Sequence, residues 1–571
     1  MSDKPLKLVL CWHMHQPEYR DRHTGEFILP WTYLHVIKDY VDMVAHLEDE
    51  PEAKAVVNFA PILLEQIEDY SKQVGGYLRD GVIIKDALLA ALVEPTVTAD
   101  PERRLKLLHD CFKANRERQI NRYPVFTRLT DMAEWVRRHP DAVNYLNSQF
   151  IADVLVWYHL IWMGETVKLA DVRVQRLIEK GSGFSFHDRI EVLEIIGDLL
   201  STVIYRYKSL ARKGRVELSV TPYAHPIMPL MLDIHSAQEA MPGVKLPQLQ
   251  SYPGGEDRVK WHLRKGLETF KHFFGFEPQG CWPSEGGVSE LTFKMLSEFG
   301  FKWSASGGSV LANSLRASGI ESSPHHVFKL ESIDLACFFR DDGLSDLIGF
   351  EYSKWHAEDA VADLIKHLEN IADFQSEPAI VSIIMDGENA WEYFPENGYH
   401  FLRTMYRRLV EHPRIQLTTF SEILKDQIEP KKLPQLVAGS WVYGTFSTWM
   451  GDDDKNQGWD MLGDVKSAYD KALSLDGLNE TQRVLAETQL AVCEGSDWFW
   501  WFGDYNPGEA VSDFEKQYRL NLSNLYRLLG EEPPGYLALS FTQGRGEPAM
   551  GGAMRRGIEL TLHNQHECPT R

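Results

Sequence analysis

Short apolar runs that stop abruptly at polar or glycine-rich residues recur along this chain, at Leu6 to Trp12, Ala55 to Phe59, Val216 to Thr221, Gln279 to Pro283, Phe301 to Ala305, Leu335 to Phe339 and Ala379 to Met385. Continuous apolar runs of this length suit strands buried on both faces, as in a parallel sheet covered by helices. Helical patterns lie between most of them. The alternation of strand and helix implies right-handed crossovers and a parallel sheet or barrel, although periodicity by itself does not separate seven strands from eight. From about residue 61 to 213 the runs give way to amphipathic stretches such as Arg103 to Phe112 and Arg189 to Leu200, which predict a helical insertion in a barrel loop. A boundary is expected at Glu429-Pro-Lys-Lys-Leu-Pro434, with helices following to about Leu529 and an uneven, glycine-rich and loose end from Thr542. The expected organisation is a barrel over 1–430, a helical domain over 431–540 and a tail over 541–571.

The ends of these runs carry the candidate chemistry. In barrels the residue just past a strand's carboxyl end faces the active site. The run at Ile380 ends in Asp386-Gly-Glu-Asn389, and the first run ends in Trp12-His-Met-His15, whose two histidines project to the same side at strand period. Later ends deliver Glu217 with His225, then Trp282-Pro-Ser-Glu285, then Arg340 with Asp341. Two carboxylates on a common rim suit glycoside cleavage, one attacking or stabilising the anomeric carbon and one protonating the leaving oxygen. Asp386, beside Glu388 and near Arg340 and Asp341, is expected to have its pKa raised by like charge and burial, as a proton donor needs.

Aromatic residues agree with a sugar ligand, because indole and phenol rings pack on the C–H faces of sugars. Trp12, Trp282, Trp391, Tyr393 and Trp449 adjoin polar residues, and Asp497-Trp-Phe-Trp-Trp-Phe-Gly503 forms a dense cluster. That cluster reads equally as helix core packing. A zinc set of His13, His15, His225 and Asp386 is a further reading, weakened by the lack of a compact ligand pair such as HExxH.

Composition narrows the picture further. The formal charge of −22 disfavours nucleic acid or an anionic membrane surface as a partner and favours a neutral or cationic ligand. Six dispersed cysteines without a CxxC pair predict reduced thiols, neither a zinc ribbon nor a disulfide framework. Without a signal sequence or a membrane-length apolar segment, the expected location is cytoplasmic.

Taken in order, the segments resemble glycoside hydrolase family 57 over about residues 6 to 530. The motifs are His15-Gln-Pro17, Gly214 to Ile227, Trp282-Pro-Ser-Glu285, Met385 to Trp391, and Thr445-Phe-Ser-Thr-Trp-Met-Gly451 with Asn456 and Trp459. Phe339 to Phe350 and Glu494 to Trp498 are also similar to segments of amylase and amylopullulanase-like members. The resemblance implies a seven-stranded β/α barrel, an incomplete TIM-type fold, followed by a helical domain that closes over the cleft. It implies a retaining enzyme acting on α-glucans such as glycogen, starch or maltooligosaccharides, without a metal or redox cofactor, with Glu285 as nucleophile and Asp386 as acid/base. His13, His15, Glu217 and His225 then line the donor subsites, with Trp282, Arg340, Asp341, Trp391, Trp449, Asp497 and Trp498 as further substrate contacts.

The fifth motif departs from the family pattern, with Thr445 and Asp452 where many relatives have Asn and His. An amylase or amylopullulanase-like hydrolase of α-1,4 and α-1,6 bonds is the expected activity. A 4-α-glucanotransferase or branching enzyme shares every catalytic residue. A metal-dependent carbohydrate deacetylase or mannosidase, and a non-catalytic glucan-binding protein, are the readings from other classes.

Overall fold

The computed structural model describes residues 5–375, 377, 379–475, 477–546 and 554–557. All seven expected runs are strands: β1 (Leu6–Met14), β2 (Ala55–Phe59), β3 (Val216–Val220), β4 (Gly280–Cys281), β5 (Trp303–Ser306), β6 (Ala336–Phe339) and β7 (Ile380–Asp386). They pair in parallel in the order β7-β1-β2-β3-β4-β5-β6. The sheet curls until its ends meet at a single parallel bridge between Arg340, just past β6, and Ser382 of β7. Asp341 N donates to Ser382 O there at 2.8 Å. Five short strands among the described residues were not foreseen: Ile415–Leu417 on β1, Phe328–Leu330 antiparallel to β6, Lys431–Leu433 beside it, and the separate antiparallel pair Arg20–Asp21 and Glu26–Phe27.

Strand alternation explains why the runs look uniformly apolar. Val9 and Cys11 of β1 and Ile380 and Ile384 of β7 point into a barrel interior filled by Trp282, Trp303, Phe338 and Phe420. Their neighbours Leu8, Leu10, Val381 and Ile383 belong to the larger core. Both faces are dry, so no polar phase shows in the sequence.

Between β2 and β3 the described residues form helices and no strand, from Pro61–Asp80 to Phe186–Arg212. The last of these starts at a capping box, Ser185 with Asp188, that satisfies its first free amides. After the barrel come the helices Asp453–Ser474, Glu480–Cys493, Ser496–Trp501 and Gly508–Leu528.

Glu494, between two of these helices, ties this region to the barrel helix Gly255–Phe274. Its buried carboxylate accepts from Arg258 Nε and Nη2 at 2.8 Å each, from His262 Nε2 at 2.8 Å and from Tyr252 OH at 2.6 Å. Beside it, Gly495 permits close approach, since a Cβ there would stand 3.0 Å from the Ala224 carbonyl oxygen. Much of the expected loose tail, including Cys568, lies outside the described residues. One described piece is docked: Gly557 N donates to Asp346 Oδ2 at 3.0 Å and its carbonyl accepts from Tyr443 N at 3.1 Å. Among the described residues, no helix is long and apolar enough to cross a membrane.

Candidate active site

Glu285 and Asp386 both stand at carboxyl ends of barrel strands. Asp386 is the last residue of β7, in register with His13 of β1. Glu285 lies in a tight turn after β4 with φ 59°, in the left-handed region that side chains other than glycine rarely adopt. Such a conformation costs about 1–3 kcal/mol and persists only where its surroundings hold it. Two contacts do so: Trp441 N donates to Glu285 O at 3.0 Å, and Gly286 N donates to Pro283 O at 2.8 Å. His225 is held the same way, with φ 60° and its carbonyl accepting from Ser496 N at 2.9 Å.

Each Glu285 oxygen has one donor group beside it. Ser496 Oγ lies 3.0 Å from Oε1, and Trp441 Nε1 donates to Oε2 at 3.1 Å. Burial, then the charges of Asp497 and Asp386, push the Glu285 carboxyl up to about 8, opposed by these two donors. Burial also pushes Asp386 up to about 6, opposed by Asn389, His15 and Arg340. The like-charge contribution expected from Glu388 is therefore not what raises Asp386. Glu388, which accepts from Gln16 Nε2 at 3.2 Å, is itself raised by burial and then by the charge of Asp386.

The two raised carboxyls share an environment that disfavours two negative charges. Asp386 has one side-chain donor, Asn389 Nδ2 at 2.9 Å, against two for Glu285. A proton on Asp386 also removes one of the charges that raise Glu285. Taken group by group, those values leave the shared proton on Glu285, whereas the count of donors, two against one, favours it on Asp386, so the two carboxyls titrate as a pair.

The three histidines cluster with this pair. The His13 and His15 rings are 5.7 Å apart and nearly parallel, and His15 stacks on His225 at 3.8 Å. His13 Nε2 meets His225 Nε2 at 3.1 Å, His225 Nδ1 meets Ser496 Oγ at 2.8 Å, and His15 Nε2 meets Asp497 Oδ1 at 2.8 Å. The expected zinc set is not assembled as such. Among the described residues, the set of three potential donor atoms that all lie within 4.8 Å of one another belongs to His15, His225 and Asp497, and includes neither His13 nor Asp386.

Several expected substrate contacts lie elsewhere. Glu217 is a correction: it is the second residue of β3, at the end opposite the rim, where it accepts from Trp303 Nε1 at 2.7 Å and Ser421 N at 2.9 Å. Arg340 is committed to the protein, donating to Ile384 O at 2.8 Å and to Asp342 and Asp346 at 2.9 Å. Asp341 caps the helix Asp342–Asp346, accepts from His325 Nε2 at 2.8 Å, and lines a cavity with His325, Leu344 and Phe374 that excludes both candidate catalytic carboxylates.

The tryptophans Trp282, Trp391, Trp449 and Trp498 are at most 1% exposed, so none offers an open ring face. Trp498, Phe499, Trp500 and Phe502 pack as core, the other reading of that cluster. The half-buried aromatic at the site is Trp441, against Trp282 at 5.3 Å, in a loop that carries no strand-end or motif signal in the sequence. Ser496, and Asn58, whose amide oxygen lies 2.7 Å from His13 Nδ1, were also missed. Their one sequence signal is position, Ser496 beside Asp497 and Asn58 near the end of a strand run. Of the departures in the fifth motif, Asp452 has a structural use, capping the helix Asp453–Ser474 through Asp454 N.

No curated protein sequence matches this chain. Solved structures do. An α-amylase, AmyC, from Thermotoga maritima aligns with TM-score 0.56 and 13% identity over 96% of this chain and 95% of its own. A GH57 branching enzyme from Thermococcus kodakaraensis aligns with TM-score 0.54 and 16% identity over 92% and 90%. A 4-α-glucanotransferase from Thermococcus litoralis aligns with TM-score 0.50 and 15% identity over 92% and 60%. At these identities the likeness establishes the shared fold. The family model described as Glycosyl hydrolase family 57 matches residues 9–437, most of the chain and every barrel strand end, and the chain belongs to that family.

Proposed function

We propose that this protein is a retaining α-glucan-active enzyme, cleaving α-1,4 and also α-1,6 glucosidic bonds through a glycosyl-enzyme intermediate. The observation that carries this reading is the pair of buried carboxyls at strand ends, both raised, with a donor group at each Glu285 oxygen and one donor at Asp386. In the proposed cycle, Glu285 attacks the anomeric carbon while Asp386 protonates the departing glycosidic oxygen. Asp386, then ionised, takes a proton from water, which opens the Glu285 ester. Two inversions give net retention. His15 and Asp497 flank the pair and offer polar groups for sugar hydroxyls.

Transfer to a sugar hydroxyl instead of water fits equally well with structural neighbours that include a branching enzyme and a glucanotransferase. The catalytic step is the same, and only the acceptor differs. Five described cysteines are free and buried, which supports the reducing cytoplasm as the place of action.

Incubation with maltoheptaose and chromatography of the products separates the two activities. Hydrolysis yields only shorter sugars; transfer yields a ladder both longer and shorter, or new branch points. Early proton NMR of the same digest should show the α-anomer first. A β-anomer first, or activity lost to a chelator and restored by zinc, would overturn the carboxylate-pair mechanism.

A further inference from the structure

The stretch Met554-Arg-Arg-Gly557 has no part in the cycle proposed above, yet it joins the C-terminal helices to the barrel rim beside the two carboxyls. Arg555 is held by the helical side. Its guanidinium carbon lies 4.7 Å from the Trp500 ring centre and 4.5 Å from that of Tyr505, and its Nη2 donates to Asn506 Oδ1 at 3.2 Å. Aromatic faces attract a cation in this way, and a planar guanidinium can stack between them. Arg556 is held by the barrel side, over Phe350 at 4.7 Å and donating to Glu351 Oε1 at 2.7 Å. The described piece before it is fixed to the same loop as Arg555, with Gly546 N donating to Asn506 O at 3.0 Å.

Gly557 makes the deepest contact. Its N–H donates to Asp346 Oδ2 at 3.0 Å, and its carbonyl accepts from Tyr443 N at 3.1 Å. A Cβ there would stand 2.5 Å from Arg340 Nη1 and 2.8 Å from Asp342 Cγ. Neither neighbour yields without breaking other bonds, because the Arg340 guanidinium is already donating to Ile384 O, Asp342 and Asp346. The slot therefore takes glycine and no larger residue. Tyr443 in turn has φ 58°, a strained conformation that persists only where neighbours hold it, and the Gly557 carbonyl is one of those neighbours. A tail lying on the surface by chance needs neither a glycine-sized slot nor a strained partner.

The place of this contact relative to Glu285 bears on substrate choice. Oε1 of Glu285 faces Ser496, and His225 lies against the same hydroxyl at 2.8 Å with His15 stacked on its ring. Oε2 faces the Trp441 indole, in the loop whose Tyr443 is bonded to Gly557. Arg340, against which Gly557 packs, stands 5.7 Å from the Trp441 ring, and its charge acts on Asp386. The two carboxyls thus have the histidines on one side and the tail on the other. On the retaining α-glucan reading above, the histidine side offers polar groups to the glycosyl unit that Glu285 captures. The tail side is left for the departing sugar and for the acceptor that replaces it.

We propose, resting on that reading, that Arg555 to Gly557 are specificity-determining residues: pinned to both walls of the cleft, they close its departing-sugar side, so that a glucan is cut near its reducing end and releases a short sugar. The disfavoured substrate is a long or branched glucan running through the cleft, whose further glucose units would need the space of Arg556 and Gly557. In transfer, the same wall limits the acceptor to a short sugar.

Maltoheptaose labelled at its reducing end tests this, because the label always leaves with the departing sugar, whether water or another sugar then takes the glycosyl unit. Early in the reaction the parent should place most of the label in glucose and maltose. Gly557→Val, and separately a chain ending at residue 553, should spread the label over longer fragments. In each, the ratio of kcat/KM on glycogen to that on maltoheptaose should rise by about tenfold or more. Both readouts are ratios within one preparation, so a general loss of rate does not move them. Trypsin checks the wall itself in a protein with its tail intact: the bonds after Arg555 and Arg556 should resist cleavage in the parent, and equally in Glu285→Gln with excess maltoheptaose. Label spread over the whole ladder in the parent, an unchanged pattern in a folded Gly557→Val, or release of the terminal fragment on adding maltoheptaose overturns the proposal. Failure of the underlying reading looks different: a parent that leaves labelled maltoheptaose and glycogen intact, its tail still protected, would bring down the α-glucan activity and this inference with it.

Discussion

Trp441 grips Glu285 twice, its indole Nε1 donating to Oε2 at 3.1 Å and its backbone N donating to the Glu285 carbonyl at 3.0 Å. One residue thus holds both the strained backbone and the side chain of the proposed nucleophile. Its loop belongs to the segment after the barrel, so the turn that carries Glu285 is completed by a residue more than 150 positions away along the chain.

Glu285→Gln should retain glucan binding and lose activity by about 10⁴-fold or more, because the amide keeps the shape but cannot form the glycosyl ester. Azide added to Glu285→Gly should restore turnover with formation of a glycosyl azide. Activity of Glu285→Gln within about tenfold of the parent would remove Glu285 from that role.

Asp386→Asn should separate substrates by leaving group. Glucans need the proton and should be slowed severely, whereas an activated aryl glycoside should still give a burst of phenol. The same variant should melt higher than the parent at pH 9, above the upper limb of the pair, where both carboxyls are ionised. Burial raises the Asp386 carboxyl in the folded protein, so its ionisation opposes folding and the variant is freed of that cost. A missing burst together with an unchanged melting temperature would count against both assignments.

The pH dependence of kcat/KM should be bell-shaped, with limbs near 6 and 8 that belong to the pair of carboxyls and not to either alone. Below the lower limb both carboxyls hold protons and no nucleophile is present; above the upper limb both are ionised and no acid is present. A profile rising without limit toward alkaline pH would show that no protonated carboxyl is required.

Glu494→Gln tests the anchor beneath Ser496. Opposing its own burial, Arg258 and His262 hold the Glu494 carboxyl down at about 2 against an ordinary 4.5, a difference worth about 3 kcal/mol to the folded state. Because the folded value is depressed, that stability is present above the unfolded value and is lost as pH falls from about 4.5 toward 2. The variant should be destabilised by about 3 kcal/mol or more at pH 7, since Arg258 is left buried without its anion, and the difference from the parent should shrink in acid. Urea melts at pH 7 and pH 3 check both parts.

The run ends at His13 and Asp386 were legible because strand identity and strand direction suffice to place them. Once β1 and β7 are parallel neighbours, their last residues share a rim. Glu217 shows the limit of that reasoning. Its run begins one residue before it, so the bounds of the run already put Glu217 at the start of the strand, and the structure places it at the end opposite the rim. The tryptophans misled for a related reason: an indole next to a polar residue in sequence looks available to a sugar, but Trp282 is enclosed by Trp441 and the barrel interior.

Local sequence, then, determined the alternation of strands and helices, the insertion between β2 and β3, and the two carboxylates, because apolar periodicity and strand ends are properties of contiguous residues. Tertiary structure alone decided which groups surround Glu285. His225, Trp441 and Ser496 come from separate stretches of the chain and meet through the curl of the sheet and the docking of the C-terminal helices. The strength and direction of a hydrogen bond depend on distances of a few ångströms between such groups, and no periodicity along a sequence encodes them.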